Sequence, residues 1–194
     1  MGYKKNITGI ILSGGKSTRM GEDKGLIKIK GKTFVELVID AITPLVDKVL
    51  IVSNYSVYDQ FGCQRIKDAI NNAGPLAGLY TGLKHSESDY NLVLSCDIPL
   101  IKTHILKKIV SVNYNNYDVV QVQSGEKTMP LIALYKKQCQ ALCLQLLNKN
   151  EKRLKVLVSQ LNTKTIILDS KYMNCVKNIN TQEDLKQMEY EIEN

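Results

Sequence analysis

The amino-acid sequence predicts a three-layer α/β/α fold with a mainly parallel sheet and one late antiparallel strand. Short runs rich in β-branched residues alternate with helical patterns along most of the 194 residues. Strands separated by helices form βαβ units, which pair in parallel and carry helices on both faces of the sheet. Two strand-like runs follow each other without a helix at 118–135, which favours an antiparallel departure late in the fold. The length and the lack of a linker-like tract predict one domain over residues 1–194.

The first half of the chain begins with a short apolar run at 7–12, bounded by glycines and typical of a buried strand. An amphipathic helix is predicted from Phe34, because Thr33 and Glu36 have the spacing of a capping box, and Pro44 marks its end. The same patterns predict strands over 49–53, 64–67 and 90–96, with a helix over 76–85.

The second half repeats the alternation with shorter elements. The predicted helices cover 105–112, 139–147 and 154–161, and a last helix begins at about 181. The predicted strands cover 118–123, 131–135 and 165–168.

The composition excludes several classes of protein. A hydrophobic fraction of 44% and a charged fraction of 23% are ordinary for a globular chain and exclude disorder. No apolar run approaches the roughly 18 residues of a membrane-spanning helix, and the start lacks the features of a signal peptide. Cys139 and Cys143 are predicted to be buried thiols, because they are four residues apart in an apolar helical stretch. Together these features predict a cytoplasmic protein with no membrane partner.

The positive charge lies near one end of the chain. The formal charge is +7, and residues 1–32 hold eight basic side chains against two acidic ones, whereas residues 178–194 hold one basic side chain against five acidic ones. Neither segment has the interleaved aromatic residues that stack on bases, so nucleic acid is not expected as a partner. The charge therefore favours a small anionic ligand.

A glycine-rich loop at residues 12–24, LSGGKSTRMGEDK, directly follows the first predicted strand. Ligands of open α/β sheets bind beyond the carboxyl ends of strands, and adjacent glycines let backbone N–H groups approach a polyphosphate. The spacing excludes a Walker A loop, because position 10 is Ile, and it does not fit a dinucleotide fingerprint. The loop residues to which we assign candidate binding roles from this pattern are Gly14, Gly15, Arg19 and Lys24.

Polar residues follow the other predicted strands. Asp97 ends the strand at 90–96 and precedes Ile-Pro, where a carboxylate near a phosphate loop suits Mg²⁺, although such a residue also serves as a turn cap. Asp68 precedes the turn GPLAG at 74–78, and Asn54 follows the strand at 49–53. Asn178 and Asn180 stand before the last helix, where Asn180 or Thr181 is a candidate N-cap.

Four segments of the chain together resemble the signature of the nucleotidyltransferases. They are the loop at 12–24, the turn at 74–78, the run Cys-Asp-Ile-Pro at 96–99 and the run NINTQEDL at 178–185. More narrowly, the chain is similar to the molybdenum cofactor guanylyltransferase family over about residues 8–185. The resemblance implies a Rossmann-type fold like that of the nucleotide-diphospho-sugar transferases. It also implies an enzyme that uses Mg²⁺ to transfer GMP from GTP to the phosphate of molybdopterin, releasing pyrophosphate.

The resemblance also implies roles for individual residues. Arg19, Lys24 and Asp97 are the expected catalytic residues, with Asp97 as the metal ligand. The expected nucleotide-binding residues are Leu12, Ser13, Gly14, Gly15, Lys24, Asn54, Asp68, Asp97, Asn178 and Asn180. Asp68 fits either the base or the ribose. Two positions bear on the acceptor: Met129 stands where the family often has His, and Arg153 is either a contact to the pterin phosphate or an exposed, solvated side chain.

Other functions stay open at this point. The nearest alternative is a related nucleotidyltransferase that uses CTP or a sugar or alcohol phosphate acceptor, and a weaker one is a non-catalytic nucleotide- or cofactor-binding protein. The expected partners are GTP and molybdopterin, with transient contact to cofactor-biosynthesis or molybdoenzyme proteins. We expect a monomer or a weak oligomer.

Overall fold

The fold is organised around a seven-stranded sheet with the strand order β5-β4-β1-β6-β8-β7-β9. The computed structural model describes residues 6–14, 23–70, 73–113 and 115–193. The strands are β1 (Ile7–Leu12), β2 (Lys28–Ile29), β3 (Lys32–Thr33), β4 (Lys48–Val52), β5 (Gln64–Ile66), β6 (Tyr90–Ser95), β7 (Val119–Ser124), β8 (Lys127–Lys136) and β9 (Thr163–Ile167). The helices are α1 (Phe34–Ile42), α2 (Gly74–His85), α3 (Thr103–Val110), α4 (Cys139–Asn148), α5 (Leu154–Val158) and α6 (Gln182–Glu193).

Strand β1 is the centre of the sheet and pairs in parallel with β4 and β6, so that Ile10 stands between Leu50 and Val93. All six residues of β1 are buried, as expected for a strand covered on both faces. Strand β8 runs antiparallel to both β6 and β7, whereas β9 returns parallel to β7. The predicted α/β fold with a late antiparallel strand is confirmed.

Two hydrophobic clusters lie on opposite faces of this sheet. Alternate side chains of β1 enter different clusters: Ile11 packs with α1 and α3, and Ile10 packs with α2, α4 and α5. The capping box predicted at the start of α1 is present, since the Thr33 hydroxyl accepts from the Glu36 N–H and the Glu36 carboxylate accepts from the Thr33 N–H. These helices and the sheet form the three layers.

Strand β8 is longer than predicted and contains a proline. The sequence predicts a strand over 131–135, but β8 begins at Lys127. Its pairing with β7 covers residues 133–135, is interrupted, and resumes over residues 127–129. Gln121 of β7 pairs with Ala133, whereas the next residue, Val122, pairs with Met129, so residues 130–132 bulge out of that ladder. Pro130 has no N–H for the ladder, and its carbonyl accepts a hydrogen bond from the buried Tyr135 hydroxyl at 2.8 Å.

The small hairpin of β2 and β3 has no counterpart among the elements predicted from the sequence. Lys30 and Gly31, its two-residue turn, both have positive φ, at 46° and 84°. The buried Ile27 and Ile29 pack there with Phe34 and with Met188 of α6, forming a third small cluster. Two helices differ slightly from the predicted bounds. Helix α2 begins at Gly74 rather than at residue 76, and α5 ends at Val158 rather than at residue 161.

None of the helices in the described ranges is long and apolar enough to cross a membrane. All five cysteines are free thiols. Cys139 and Cys143 are buried as predicted, and burial raises the pKa of each thiol to about 12. The assignment of residues 1–194 to one domain stays a prediction, as does the cytoplasmic location.

Candidate active site

Four parallel strands end at the same edge of the sheet, and each is followed by a predicted site residue. Gly14 comes two residues after β1, Asn54 two residues after β4, Asp68 two residues after β5 and Asp97 two residues after β6. This edge is the one at which open α/β sheets bind ligands. A cavity of about 380 Å³ lies there, and its lining includes Leu12, Ser13, Gly14, Asn54, Tyr55, Asp68, Gly74, Pro75, Gly78, Asp97 and Leu131. The predicted site residues Leu12, Ser13, Gly14, Asn54 and Asp68 therefore converge with Asp97 on one cavity.

Asp97 is held from two sides. The Asn178 Nδ2 donates a hydrogen bond to Asp97 Oδ1 at 2.8 Å, and Lys24 Nζ lies 3.7 Å from Asp97 Oδ2. The Asp97 and Lys24 side chains are only 15% and 21% exposed, so this pair is less screened than a surface ion pair. A carboxylate and an ammonium group thus face each other where β6 ends.

The segment 178–180 brings two amides to this pair because it is anchored between them. Ile179 is 1% exposed, and its N–H donates to the carbonyl of Asp97 at 2.8 Å. The flanking residues lie on either side of this anchor: Asn178 binds the Asp97 carboxylate, and Asn180 Oδ1 accepts a hydrogen bond from Lys24 Nζ. Helix α6 follows, with the Thr181 hydroxyl accepting from the Asp184 N–H at 3.1 Å, so Thr181 rather than Asn180 is the N-cap.

Asp68 is oriented by three neighbours. Its N–H donates to Asn54 Oδ1 at 3.1 Å, and its Oδ1 accepts from the Thr81 hydroxyl at 2.9 Å and from the Ile70 N–H at 3.3 Å. Among the described residues, no group donates to Asp68 Oδ2. One carboxylate oxygen is thereby fixed and the other can accept hydrogen bonds from a ligand in the cavity.

A second cavity of about 330 Å³ adjoins the first and shares Pro75 and Leu131 with it. Its walls are mostly apolar, and Asn178, the partner of Asp97, also lines it. The apolar side chains come largely from the bulged part of β8, and basic side chains stand among them. The lining residues are Pro75, Ile98, Lys127, Thr128, Met129, Pro130, Leu131, Ile132, Arg153, Leu154, Lys155 and Asn178.

The match to known proteins agrees with this geometry. Residues 9–165 match the model of the MobA-like NTP transferase domain. The chain belongs to this family. The match covers well over half of the chain, so the nucleotidyltransferase assignment drawn from the sequence motifs is confirmed, and the protein is an enzyme of this class.

Individual members of the MobA-like family align over nearly the whole chain. A protein of Flavobacterium johnsoniae named "Probable molybdenum cofactor guanylyltransferase" is 33% identical over 95% of this chain and 97% of its own length. The molybdenum cofactor guanylyltransferase of Vibrio parahaemolyticus is 30% identical over 92% of each chain. Among solved structures, molybdopterin-guanine dinucleotide biosynthesis protein A of Archaeoglobus fulgidus superposes with a TM-score of 0.82 at 21% identity, covering 96% of this chain and 98% of its own. That structure supports the same fold.

Most of the predicted site residues of this MobA-like chain are brought together. Lys24, Asp97, Asn178 and Asn180 form one contact network, and Leu12, Ser13, Gly14, Asn54 and Asp68 line the same cavity as Asp97. Gly15 and Arg19 lie outside the described residues. Thr81, which fixes Asp68, was missed, because a threonine in the middle of a helix gives no sequence signal for a contact 13 residues away.

The donor set at Asp97 suits Mg²⁺. Among the described residues there is no cluster of three or more His, Cys, Asp or Glu side chains that would hold a metal by itself. Mg²⁺ is commonly held by one or two carboxylates together with substrate phosphates and waters, and the partly buried Asp97 carboxylate, which Asn178 Nδ2 holds in place, supplies one such ligand.

Proposed function

We propose that the protein transfers the GMP group of GTP to the phosphate of molybdopterin, giving molybdopterin guanine dinucleotide and pyrophosphate. The observation that carries the proposal is the pair of adjoining cavities, one polar and one apolar with basic side chains, that share Leu131 and meet beside Asp97 and Asn178. A nucleotidyl transfer needs two substrates side by side with their phosphates at one point. The names of the relatives, molybdenum cofactor guanylyltransferases, support the same substrates.

The polar cavity is the proposed GTP site. The free oxygen of Asp68 would accept hydrogen bonds from the guanine N1–H and 2-amino groups, because a carboxylate offers acceptors only. Gly14 would let backbone N–H groups approach the triphosphate, and Lys24 would move from Asp97 to a phosphate oxygen. Gly15 and Arg19 are proposed to complete the phosphate contacts.

The apolar cavity is the proposed acceptor site. A flat pterin ring suits walls formed by Ile98, Met129 and Leu154, and a phosphate group suits Lys127 and Arg153. Met129, at the position where the family often has His, is 8% exposed and contributes packing rather than a proton donor or acceptor. Acceptor recognition in this chain would therefore depend on shape and positive charge.

The reaction would be a single in-line displacement. An oxygen of the acceptor phosphate attacks the α-phosphorus of GTP, a new P–O bond forms, and the bond to the β-phosphate bridging oxygen breaks with release of pyrophosphate. Asp97 would hold Mg²⁺, with its carboxylate oriented by Asn178, and the ion would neutralise phosphate charge and orient the α-phosphate. Asn180 would hold Lys24 beside this site. Lys24 would stabilise charge that develops on the leaving pyrophosphate.

The test is a substrate panel with the isolated protein. GTP, CTP or ATP is supplied with MgCl₂ and molybdopterin, and both pyrophosphate and the dinucleotide product are quantified. We expect both products with GTP, and neither when the acceptor or the Mg²⁺ is omitted. Preferential use of CTP, or transfer to a sugar phosphate in place of the pterin, would replace this proposal with the related nucleotidyltransferase. Tight GTP binding without pyrophosphate release under all these conditions would contradict a catalytic role.

A further inference from the structure

We infer that Tyr58, a fully buried side chain outside both cavities' linings, is a positioning residue that sets the location of Lys24, and this inference rests on the proposed function. Tyr58 lies in the short 3₁₀ helix Ser56–Phe61 between β4 and β5, and its relative exposure is 0%. Its hydroxyl donates a hydrogen bond to Asp23 Oδ1 at 2.6 Å, across 35 residues of sequence. Tyr58 thus reaches from one strand connection to the residue just before Lys24.

The same oxygen of Asp23 also holds the residue just after Lys24. Asp23 Oδ1 accepts from the Gly25 N–H at 3.1 Å and thereby caps the 3₁₀ helix Lys24–Leu26. The backbone on both sides of Lys24 is therefore tied to one carboxylate oxygen, and that oxygen is tied to the Tyr58 hydroxyl.

The packing at Gly25 shows how closely this turn follows the tyrosine. A Cβ atom at position 25 would clash with the Tyr58 hydroxyl oxygen and stand 2.9 Å from Ser13 Oγ. Any side chain at position 25 would therefore force the turn and Tyr58 apart, so glycine is needed here for close approach. The turn rests directly on the buried hydroxyl.

The Tyr58 hydroxyl carries its proton at neutral pH. Burial raises the pKa of Tyr58 far above its usual range, and the hydrogen bond to Asp23 raises it further, so the phenol can donate to Asp23. The Tyr58 hydroxyl affects the site by fixing the position of the turn that carries Lys24. Lys24 is the residue of this turn that contacts Asn180 and lies beside Asp97.

Displacement of Lys24 should affect catalysis more than stability. Misplacement of a catalytic group by about 1 Å can cost up to roughly 100-fold in rate. We therefore expect Tyr58→Phe to lower kcat by about 10-fold or more and to weaken Mg-GTP binding, with the acceptor KM unchanged.

A matched control removes a buried hydroxyl at the opposite end of the sheet. Thr8 Oγ1 lies 2.8 Å from Ser88 Oγ, and Thr8 is 0% exposed near the amino end of β1. Thr8→Val, like Tyr58→Phe, deletes one buried hydroxyl without changing the shape of the side chain. We expect both variants to lose similar thermal stability and only Tyr58→Phe to lose kcat and GTP affinity.

The decisive measurement is a double-mutant cycle with Lys24→Met, scored by the Kd of Mg-GTP below the melting temperature of every variant. If Tyr58 acts through Lys24, adding Tyr58→Phe to Lys24→Met changes the Kd far less than it does in the wild type, whereas Thr8→Val has equal, small effects in both backgrounds. Asp23→Asn, which keeps the accepting oxygen, should retain more GTP affinity than Asp23→Ala. The inference about Tyr58 would be overturned if Tyr58→Phe and Lys24→Met had additive effects on the Kd of Mg-GTP. It would also be overturned if Tyr58→Phe had the same kcat and Kd as Thr8→Val. Neither result would affect the proposed function. A wild-type protein that binds no nucleoside triphosphate would overturn the proposed function, and this inference with it.

Discussion

The two cavities that meet at Leu131 are built in different ways. The polar cavity lies at the ends of parallel strands, and its key side chains are held by hydrogen bonds, as Asp68 is by Thr81 and Asp97 is by Asn178. The apolar cavity lies along the bulge of an antiparallel strand, and its wall is almost entirely apolar although Lys127, Arg153 and Lys155 are among the lining residues. Under the proposed function, the first would recognise its ligand by fixed polar contacts, and the second by shape and charge. Substitutions should therefore have larger and more ligand-specific effects in the polar cavity.

The largest effect is expected for Asp97→Ala, because this carboxylate stands at the junction of the two cavities. Loss of a single preorganised electrostatic group costs roughly 10²- to 10³-fold in kcat, and the loss of the proposed metal ligand should reach at least the upper value. Transfer is measured as Mg²⁺-dependent pyrophosphate release, and folding is checked by circular dichroism.

A suitable control is Asp40→Ala, which removes an exposed carboxylate that pairs with Lys32 at 2.7 Å, away from both cavities. We expect this variant to retain wild-type transfer. Undiminished transfer by Asp97→Ala would mean that the two cavities do not meet at the reacting phosphates.

The next effect tests the polar cavity alone. Asp68→Asn replaces an acceptor-only group with an amide, so hydrogen bonds to the guanine N1–H and 2-amino group are weakened. Hydrogen bonds to charged groups contribute about 1.5–3 kcal/mol, which corresponds to a rise in the GTP KM of about 10- to 100-fold. The acceptor KM should not change.

The comparison of GTP with inosine triphosphate, which lacks the 2-amino group, sharpens this prediction. If Asp68 binds the base, the wild type prefers GTP and Asp68→Asn loses much of that preference. If Asp68 binds the ribose, Asp68→Asn weakens the binding of both nucleotides equally and the preference for GTP is retained. Asp59→Asn, which changes an exposed carboxylate paired with Arg65, is the matched control.

The difference between the cavities also explains how much of each could be predicted from the sequence. The residues of the polar cavity belong to short contiguous motifs directly after strands, and parallel strands bring their ends to one edge whatever the details of packing. This is why Asp68 and Asp97 could be placed at this edge from their positions at the ends of predicted strands, while their roles came from the family motifs. The sheet itself followed from the alternation of apolar runs with helical patterns.

The apolar cavity could not be predicted in this way. It depends on the interrupted ladder between β7 and β8. Gln121 pairs with Ala133, but the next residue, Val122, pairs with Met129, so three residues of β8 are left out of the pairing. Pro130 suggests a strand boundary when read locally, whereas in the fold it lies inside the strand at a bulge. The role of Tyr58 could not be predicted for a related reason, since a contact between residues 35 positions apart produces no pattern in the local sequence.

A smaller effect tests the basic side chains of the apolar cavity. Arg153 pairs with Glu151 through Nη2 and Oε2 at 2.6 Å, and this pair lowers the pKa of Glu151 to about 2, so both groups stay charged at any pH used for the assay. Arg153→Ala should raise the acceptor KM about 10-fold, in line with the loss of one charge-assisted contact, and leave the Kd of Mg-GTP unchanged.

Lys149→Ala is the control for Arg153→Ala, because it removes an exposed positive charge at the end of α4 that does not line the cavity. Equal effects of the two variants would show that the acceptor responds to net charge only. A change in GTP affinity at Arg153→Ala would show that the cavities are not separate in function.

The smallest effect is expected at the bulge that shapes the apolar cavity. The Tyr135 hydroxyl is buried and donates to the carbonyl of Pro130, so Tyr135→Phe removes a hydrogen bond of about 1 kcal/mol and lowers the Tm by about 2–4 °C. Since Pro130 and its neighbours form the cavity wall, part of this free energy should appear as a rise of about two- to threefold in the acceptor KM. Tyr80→Phe, which changes a largely buried tyrosine of α2, should leave the acceptor KM unchanged. An acceptor KM that is equally insensitive to Tyr135→Phe would mean that packing alone maintains the bulge, because the lost hydrogen bond would then stabilise the fold without shaping the cavity.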